Sequence, residues 1–158
     1  MEKPSNKEIL NKELLAILFI QGCINRMANN SFIVKGGLVS LIAVILTLLP
    51  ENFNIRILCI IGAFITICIW YLDSFFLKVE KLYRWKYEWV ISERLNTNKG
   101  MYDLNPYNEK MWLPNKDGSN KKAPNELKIM FSKTLLPIYI PTIIVVIFVF
   151  INSYTNWI

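Results

Sequence analysis

A single acid interrupts the second long apolar run of the sequence. This residue, Asp73, lies within Ile57–Leu77, where every other side chain is uncharged. A charge at bilayer depth is costly unless it is paired or hydrated, so an intramembrane acid predicts either a structural ion pair or a function. Arg26 and Lys35 are the cations that approach the same depth, and we expect one of them to pair with Asp73. The alternative is a cation pathway, which a ring of such acids would line in an assembly of copies.

Residues suited to catalysis are scarce in the sequence. There is no histidine, which excludes Ser-His nucleophilic sites and His-ligated metals. Cys23, Cys59 and Cys68 lack the paired spacing of a zinc or haem site, and no glycine-rich phosphate loop is present. We therefore expect that the protein is not an enzyme and that it binds neither a metal nor a cofactor.

Three apolar runs are long enough to place these residues in a membrane. Hydrocarbon about 30 Å thick needs about 20 apolar residues to cross as a helix. The first run is Gly36–Pro50, which gains length from residues 32–34 if Lys35 reaches back to the headgroups. The second is Ile57–Leu77, and the third, which is uncharged, is Thr134–Ile158. We predict an all-α integral membrane protein with three spans in a lipid bilayer.

The segments between the runs complete this plan. Apolar residues recur at close to helical period before the first run, and Asn29, Asn30 and Ser31 then predict a polar turn. We predict an N-terminal amphipathic helix at residues 1–30, a two-span hairpin at 31–77, a helical extension of the second span at 78–95, a loop at 96–133 and a C-terminal transmembrane helix at 134–158.

The second span and its extension predict one long helix. No proline occurs between Ile57 and Leu95, so this helix would be about 58 Å long and could continue beyond the bilayer. Its extension carries an apolar stripe that we expect to pack on the N-terminal helix. The stripe consists of Phe76, Val79, Leu82, Tyr83, Tyr87, Val90 and Ile91. In the third span, Pro137 and Pro141 predict a kink near the start of the helix.

Lys and Arg placement predicts the orientation. Seventeen of the eighteen cations fall on one side if the N-terminus and the segment 78–133 are both cytoplasmic, and only Arg56, in the short hairpin loop, falls on the other. The cytoplasmic side of membrane proteins carries this excess, so we expect a cytoplasmic N-terminus and an external C-terminus. The net charge of +6 is then explained without nucleic-acid binding.

Two segments have alternative interpretations. The sequence IQGC at residues 20–23 could be a lipoprotein cleavage site with Cys23 as the mature N-terminus, but the apolar stretch before it is short. In the loop, Tyr102, Tyr107 and Trp112 alternate with lysines, a mixture that can stack on nucleotide bases. We expect these aromatic side chains to lie at the lipid headgroups instead.

The order of these elements resembles the SLATT group of small bacterial membrane proteins. The resemblance is carried by NRMANNSFIVKGG at residues 25–37 and by WYLDSFFLKVEKLYRWKYEWV at 70–90, and it covers roughly residues 9–95. SLATT proteins are found beside anti-phage defence genes and are thought to act as pore-forming effectors. The loop and the third span depart from the usual two-span plan of the group.

The resemblance implies an effector that stays quiet until a cytoplasmic partner or signal acts on it. We expect a homo-oligomer that permeabilises or depolarises the bacterial inner membrane when triggered. Asp73 would lie at the mouth of the pathway, with Asn29 and Asn30 at a pivot. The residues expected to receive the signal are Lys78, Lys81, Tyr83, Arg84, Lys86 and Arg94.

Two other functions fit the same sequence. One is a membrane adaptor that recruits a soluble defence or signalling enzyme, and the other is a small subunit of a transporter. Small residues in the first two spans permit close helix contact, either between copies or within the hairpin. These residues are Gly36, Gly37, Ser40, Gly62, Ala63 and Thr66.

Overall fold

The computed structural model describes residues 6–47, 54–93, 97, 100 and 103–155, and within these ranges it contains helices and no strands. The helices are α1 (Asn6–Thr47), α2 (Ile55–Glu93), a short 3-10 helix (Glu109–Met111), α3 (Glu126–Met130) and α4 (Leu136–Thr155). Of these, α1, α2 and α4 are long and apolar enough to cross a membrane. The all-helical prediction is confirmed, and the three helices that the predicted spans require are present.

Contacts divide the chain into two compact units. The extension unit consists of Met1–Asn29 and Leu77–Pro124, and the span unit consists of Asn30–Phe76 and Asn125–Ile158. Both α1 and α2 contribute residues to each unit, whereas α3 and α4 belong to the span unit.

Helix α1 runs through the position of the predicted turn. Asn29, Asn30 and Ser31 are all helical, so the prediction of a turn there was wrong. Asn and Ser lower helix propensity by well under 1 kcal/mol each, and no proline occurs in α1. Ser31 is also buried, and its side chain is hydrogen-bonded to Asp73. Packing therefore outweighs the weak local preference for a turn.

The structure agrees with the sequence prediction for α2 but differs from it at the start of α4. The predicted long helix is confirmed as α2, which is unbroken from Ile55 to Glu93. Pro137 lies in the first turn of α4, where its missing N–H is not needed, so it starts the helix and does not kink it. Pro141 lies inside α4 and removes one backbone donor there.

Two contacts fix the direction of α2 relative to α4 in the span unit. Near the start of α2, the Arg56 guanidinium donates to the carbonyl of Ser153, 3.2 Å away and close to the end of α4. Further along α2, Trp70 stacks on Tyr139, close to the start of α4. The two helices are therefore antiparallel neighbours.

The extension unit has its own core. Its buried members are Ile20, Val79, Tyr83, Val90 and Met111, with Ile17, Cys23, Ile24, Met27, Tyr87 and Trp89 packed around them. The prediction that the stripe on the extension packs on the N-terminal helix is thus confirmed for Val79, Tyr83, Tyr87 and Val90. Ile91 is exposed, and Phe76 belongs to the span unit.

The loop after α2 is packed on the helix. Trp112 is buried, with its ring edge-on to Trp85 at 5.3 Å between centroids, and its Nε1 donates to the carbonyl of Pro106. Gly100 has a φ of 65°, and a Cβ there would lie 2.9 Å from Sδ of Met111. Only glycine fits this close approach without strain.

Candidate functional site

Each long helix brings a polar side chain to one place in the span unit. Asp73 comes from α2 and is completely buried. Ser31 and Lys35 lie one turn apart on α1, so both point to the same side of that helix. Tyr139 comes from the first turns of α4 and is also completely buried. We call these four residues the Asp73 cluster.

The Asp73 carboxylate is the acceptor at the centre of the cluster. Nζ of Lys35 lies 2.8 Å from Oδ2 and 3.0 Å from Oδ1. The Ser31 hydroxyl donates to Oδ1, and the Tyr139 hydroxyl donates to Oδ2 at 2.9 Å. Lys35 also donates to the Ser31 hydroxyl. The carboxylate is thus bound by one cation and two hydroxyl groups.

The charge balance of the cluster explains how an acid can lie at this position. A buried ion pair repays the cost of desolvation only when further hydrogen bonds satisfy the remaining lone pairs. Ser31 and Tyr139 supply those bonds. The Lys35 side chain keeps a quarter of its surface exposed, so its ammonium is less desolvated than the carboxylate.

Aromatic packing holds Tyr139 in place. The ring of Trp70 stacks on that of Tyr139, with centroids 5.5 Å apart and planes within 10°. Nε1 of Trp70 donates to the carbonyl of Met130 at 3.0 Å, and Phe131 lies edge-on to the indole. The hydroxyl of Tyr139 is therefore directed at Asp73 by a neighbour that is itself anchored.

Of the two cations predicted as partners of Asp73, one pairs with it in the structure. The predicted pairing with Lys35 is present, whereas Arg26 belongs to the extension unit, where it is exposed. Ser31 and Tyr139 were missed. Ser31 lies four residues before Lys35, which is a detectable signal of a shared face, but Tyr139 lies 66 residues from Asp73 and no spacing rule relates the two.

The predicted pivot residues are helical and do not belong to the Asp73 cluster. Asn29 is exposed and Asn30 half-buried, and the division between the two units of the chain falls between them. On α2 the corresponding division falls between Phe76 and Leu77.

The predicted signal-receiving residues separate into buried and exposed groups. Lys86 is completely buried, with Nζ 2.8 Å from the carbonyl of Asn105 and 3.3 Å from Oδ1 of Asp103. Tyr83 lies in the core of the extension unit, and Lys78 is buried beside the ring of Tyr107.

The remaining members of that set are accessible or undescribed. Lys81 is exposed, with Nζ 5.5 Å from the ring centroid of Trp85. Arg84 is exposed and pairs with Glu80 one turn earlier at 2.7 Å. Arg94 lies outside the described residues. An external partner can therefore reach Lys81 and Arg84, whereas the charge of Lys86 is used inside the unit.

In the loop after α2, the pKa of the Asp103 carboxyl is shifted by its surroundings. Burial opposes ionisation of Asp103, but hydrogen bonds from Asn108 and the N–H of Asn105, with the charge of Lys86, outweigh it. The pKa of Asp103 is therefore held below its ordinary value.

Arg84 lines a polar groove in the extension unit. The groove has a volume of about 620 Å³ and is lined by Gln21, Ile24, Asn25, Arg84, Tyr87 and Glu88. Nε2 of Gln21 donates to the Tyr87 hydroxyl at 3.0 Å and so links α1 and α2 within the lining.

The chain matches no protein-family model, no curated protein and no solved structure. Within the part of the chain that the structure describes, no three His, Cys, Asp or Glu side chains lie close enough together to hold a metal ion. The arrangement of the Asp73 cluster is thus the observation from which a function can be argued.

Proposed function

We propose that this protein is a small membrane effector that permeabilises or depolarises the bacterial inner membrane when it is triggered. The observation that carries the proposal is the buried Asp73 carboxylate, whose donors come from two helices other than its own. The attribution to anti-phage defence rests on the resemblance to SLATT proteins. The structure then corresponds to the resting state of the effector.

The Asp73 cluster has the properties of a gate. Hydrogen bonds weaken steeply outside about 3.5 Å, so a shift of α1 or α4 by a few Å removes at least one donor from Asp73. A buried carboxylate without its partners is unfavourable, and it is stabilised again by water. In an assembly of copies, the freed acids would form a ring of the kind that lines cation pathways.

The signal reaches this gate along α1 and α2. Ser31 lies two residues after Asn29, and Asp73 lies four residues before Leu77, so both are within about one turn of the division between the units. A displacement of these helices in the extension unit is thus passed to the cluster over a short length. Lys81, Arg84 and the adjoining groove form the surface on which a trigger acts.

We further propose that the extension unit is cytoplasmic and that the protein forms a homo-oligomer. The excess of cations in the extension unit and its flanking loop favours the cytoplasm as their location, with the C-terminus outside. Gly36 and Gly37 are exposed on α1, and a Cβ at either position would meet nothing within 4 Å. Such residues let a second copy approach closely, which favours a homo-oligomer.

A growth assay tests the proposal. We expect that Asp73→Ala abolishes toxicity on expression with the trigger, because no acid remains to line the pathway, and that the variant still enters the membrane fraction. Tyr139→Phe removes one donor and leaves the acid, so it should be toxic at lower expression than the wild type. Tyr71→Phe, a matched change at an exposed position of α2, should behave as the wild type.

The outcome that contradicts the proposal is a toxicity that none of these variants changes. Toxicity abolished equally by Asp73→Ala and Tyr139→Phe would show that the intact cluster, and not its opening, is what the activity needs.

A membrane adaptor is the second candidate. It is favoured by the extension unit, which has its own core, a packed loop and a polar groove. An adaptor is harmless when expressed alone, and Asp73→Ala leaves its partner bound. Detergent pulldown that captures the same soluble enzyme with wild type and Asp73→Ala, without toxicity from either, would favour this function.

A further inference from the structure

Two apolar crevices flank the contact between α2 and α4 in the span unit. The inner crevice has a volume of about 110 Å³ and is lined by residues of α1, α2 and α4, including Leu41, Gly62 and Val149. The outer crevice, about 250 Å³, lies between α2 and α4. Cys59 and Val146 line both. The two helices are therefore loosely packed on both sides of this contact.

Gly62 gives independent evidence of open space. It is buried, yet a Cβ built on it would meet no atom within 4 Å. Protein interiors have few voids larger than a water molecule, because unfilled space forfeits dispersion contacts. A buried glycine facing open space thus indicates that something outside the chain fills the crevice.

Water is a poor occupant of the inner crevice. A buried water needs two to four polar partners. Among the described residues of the lining, the one hydroxyl, that of Thr66, already donates to the carbonyl of Gly62 at 2.7 Å. Apolar cavities of comparable size, about 150 Å³, stay dry and take up small apolar molecules. The chemistry of the lining therefore selects a hydrocarbon.

We propose that an acyl chain of a bilayer phospholipid occupies the inner crevice. The lining belongs to three helices that are long and apolar enough to span a membrane, so hydrocarbon is the surrounding medium. A helix of a second copy is about 10–12 Å wide with its side chains and does not fit this volume, whereas a stretch of a few methylene groups of an acyl chain does. The acyl chain then lies between α1, α2 and α4 and can leave the crevice without a break in any helix.

Photo-crosslinking in nanodiscs tests the proposal. The probe is a phosphatidylethanolamine with a diazirine on one acyl chain, and crosslinked residues are found by mass spectrometry. We expect crosslinks on Leu58 and Val149, which line only the inner crevice, above those on Phe64 and Phe148, two highly exposed side chains on the same helices. Gly62→Leu fills the inner crevice from within and should lose the crosslinks on Leu58 and Val149 alone.

Control variants keep the outcomes distinct. Gly37→Leu adds the same side chain at an exposed position of α1 and should leave the crosslinks unchanged. Gly62→Ala adds one methyl group to open space and should reduce them even if Gly62→Leu fails to fold. Equal crosslinking at all four residues, or crosslinks that survive in both Gly62 variants, would overturn the proposal. Dimers linked by a disulfide at Cys59 on mild oxidation would assign the crevice to a second copy and would also overturn it.

Discussion

Among the described residues, the span unit and the extension unit both contain an ion pair with a completely buried member, but the roles of acid and base are exchanged. In the span unit the acid, Asp73, is buried and Lys35 is a quarter exposed. In the extension unit the base, Lys86, is buried and Asp103 is about a quarter exposed. The two pairs also differ in which structural elements carry the partners of the buried residue.

Asp73 is bonded by side chains of two long helices, whereas Lys86 is bonded by a loop that follows its own helix. Its acceptors include Asp103 and the carbonyl of Asn105. Breaking the first pair changes how helices fit together, and breaking the second releases a loop. A buried charge is therefore suited to a gate only where it joins elements that can move as whole helices.

The largest expected effect is that of removing the cation from the Asp73 cluster. Lys35→Met leaves Asp73 buried with two hydroxyl donors, and breaking a buried pair costs about 3–5 kcal/mol. We expect the free energy of unfolding in detergent micelles to fall by about 3 kcal/mol, because Ser31 and Tyr139 still donate. Lys133→Met, at an exposed position of the same unit, should have almost no effect.

A double variant distinguishes the loss of the ion pair from the loss of packing by the Lys35 side chain. Replacing both members of a buried pair by apolar residues is often neutral, so Lys35→Met with Asp73→Leu should recover most of the lost free energy of unfolding. If the double variant is no more stable than Lys35→Met, the loss comes from packing of the lysine stem and not from the unpaired acid.

The loop anchor predicts a pH dependence confined to the extension unit. A carboxyl whose pKa is lower in the folded state stabilises that state above its unfolded pKa, and the stabilisation is lost as the pH falls through the folded value. For Asp103 this places the loosening of the loop below about pH 4. Fluorine NMR of fluorotryptophan-labelled protein should show the Trp112 resonance shifting in that range.

Substitution at Asp103 provides the control for that titration. Asp103→Asn should flatten the change at Trp112, whereas Asp117→Asn should leave it, because Asp117 is exposed and bonded only to nearby Ser119 among the described contacts. Identical titrations for the wild type and Asp103→Asn would show that another group loosens the loop.

The smallest expected effect is at the Arg84–Glu80 pair of the extension unit, in which Arg84 is exposed and Glu80 is largely buried. Arg84→Ala removes an i,i+4 ion pair with Glu80, and such pairs contribute about 0.3–0.5 kcal/mol. We expect nearly unchanged unfolding in micelles but a weaker response to the trigger in the growth assay. Glu80→Gln, which breaks the same pair and keeps Arg84, should retain the response. A response lost in both variants would attribute it to the pair and not to the guanidinium.

Local sequence patterns predicted the parts of this structure that depend on local spacing. The unbroken run without proline predicted α2, and the apolar stripe from Val79 to Val90 predicted the core of the extension unit. Lys35 was found because a cation near the depth of Asp73 is an obvious partner. In each of these cases the signal lies within one helix or in the charge of one side chain.

The remaining features depend on contacts between distant segments. Local preference favoured a turn at Ser31, but its hydrogen bond to Asp73 holds that part of α1 in a helix. Tyr139 joins the Asp73 cluster because α4 packs against α2. No local pattern in the sequence around Tyr139 predicts that packing. Likewise, the composition of the loop predicted irregular structure but not the packing of Trp112 on Trp85.

Opening of the Asp73 cluster should create an ion pathway, and a change in membrane potential is the direct consequence of such a pathway. A voltage-sensitive dye would be followed in cells that express the wild type, Asp73→Ala, Tyr139→Phe or Tyr71→Phe over the same series of induction levels, with and without phage challenge. We predict triggered depolarisation by the wild type and Tyr71→Phe, depolarisation at lower expression by Tyr139→Phe, and none by Asp73→Ala. Depolarisation that is the same in all four, or absent in all four, would contradict this prediction.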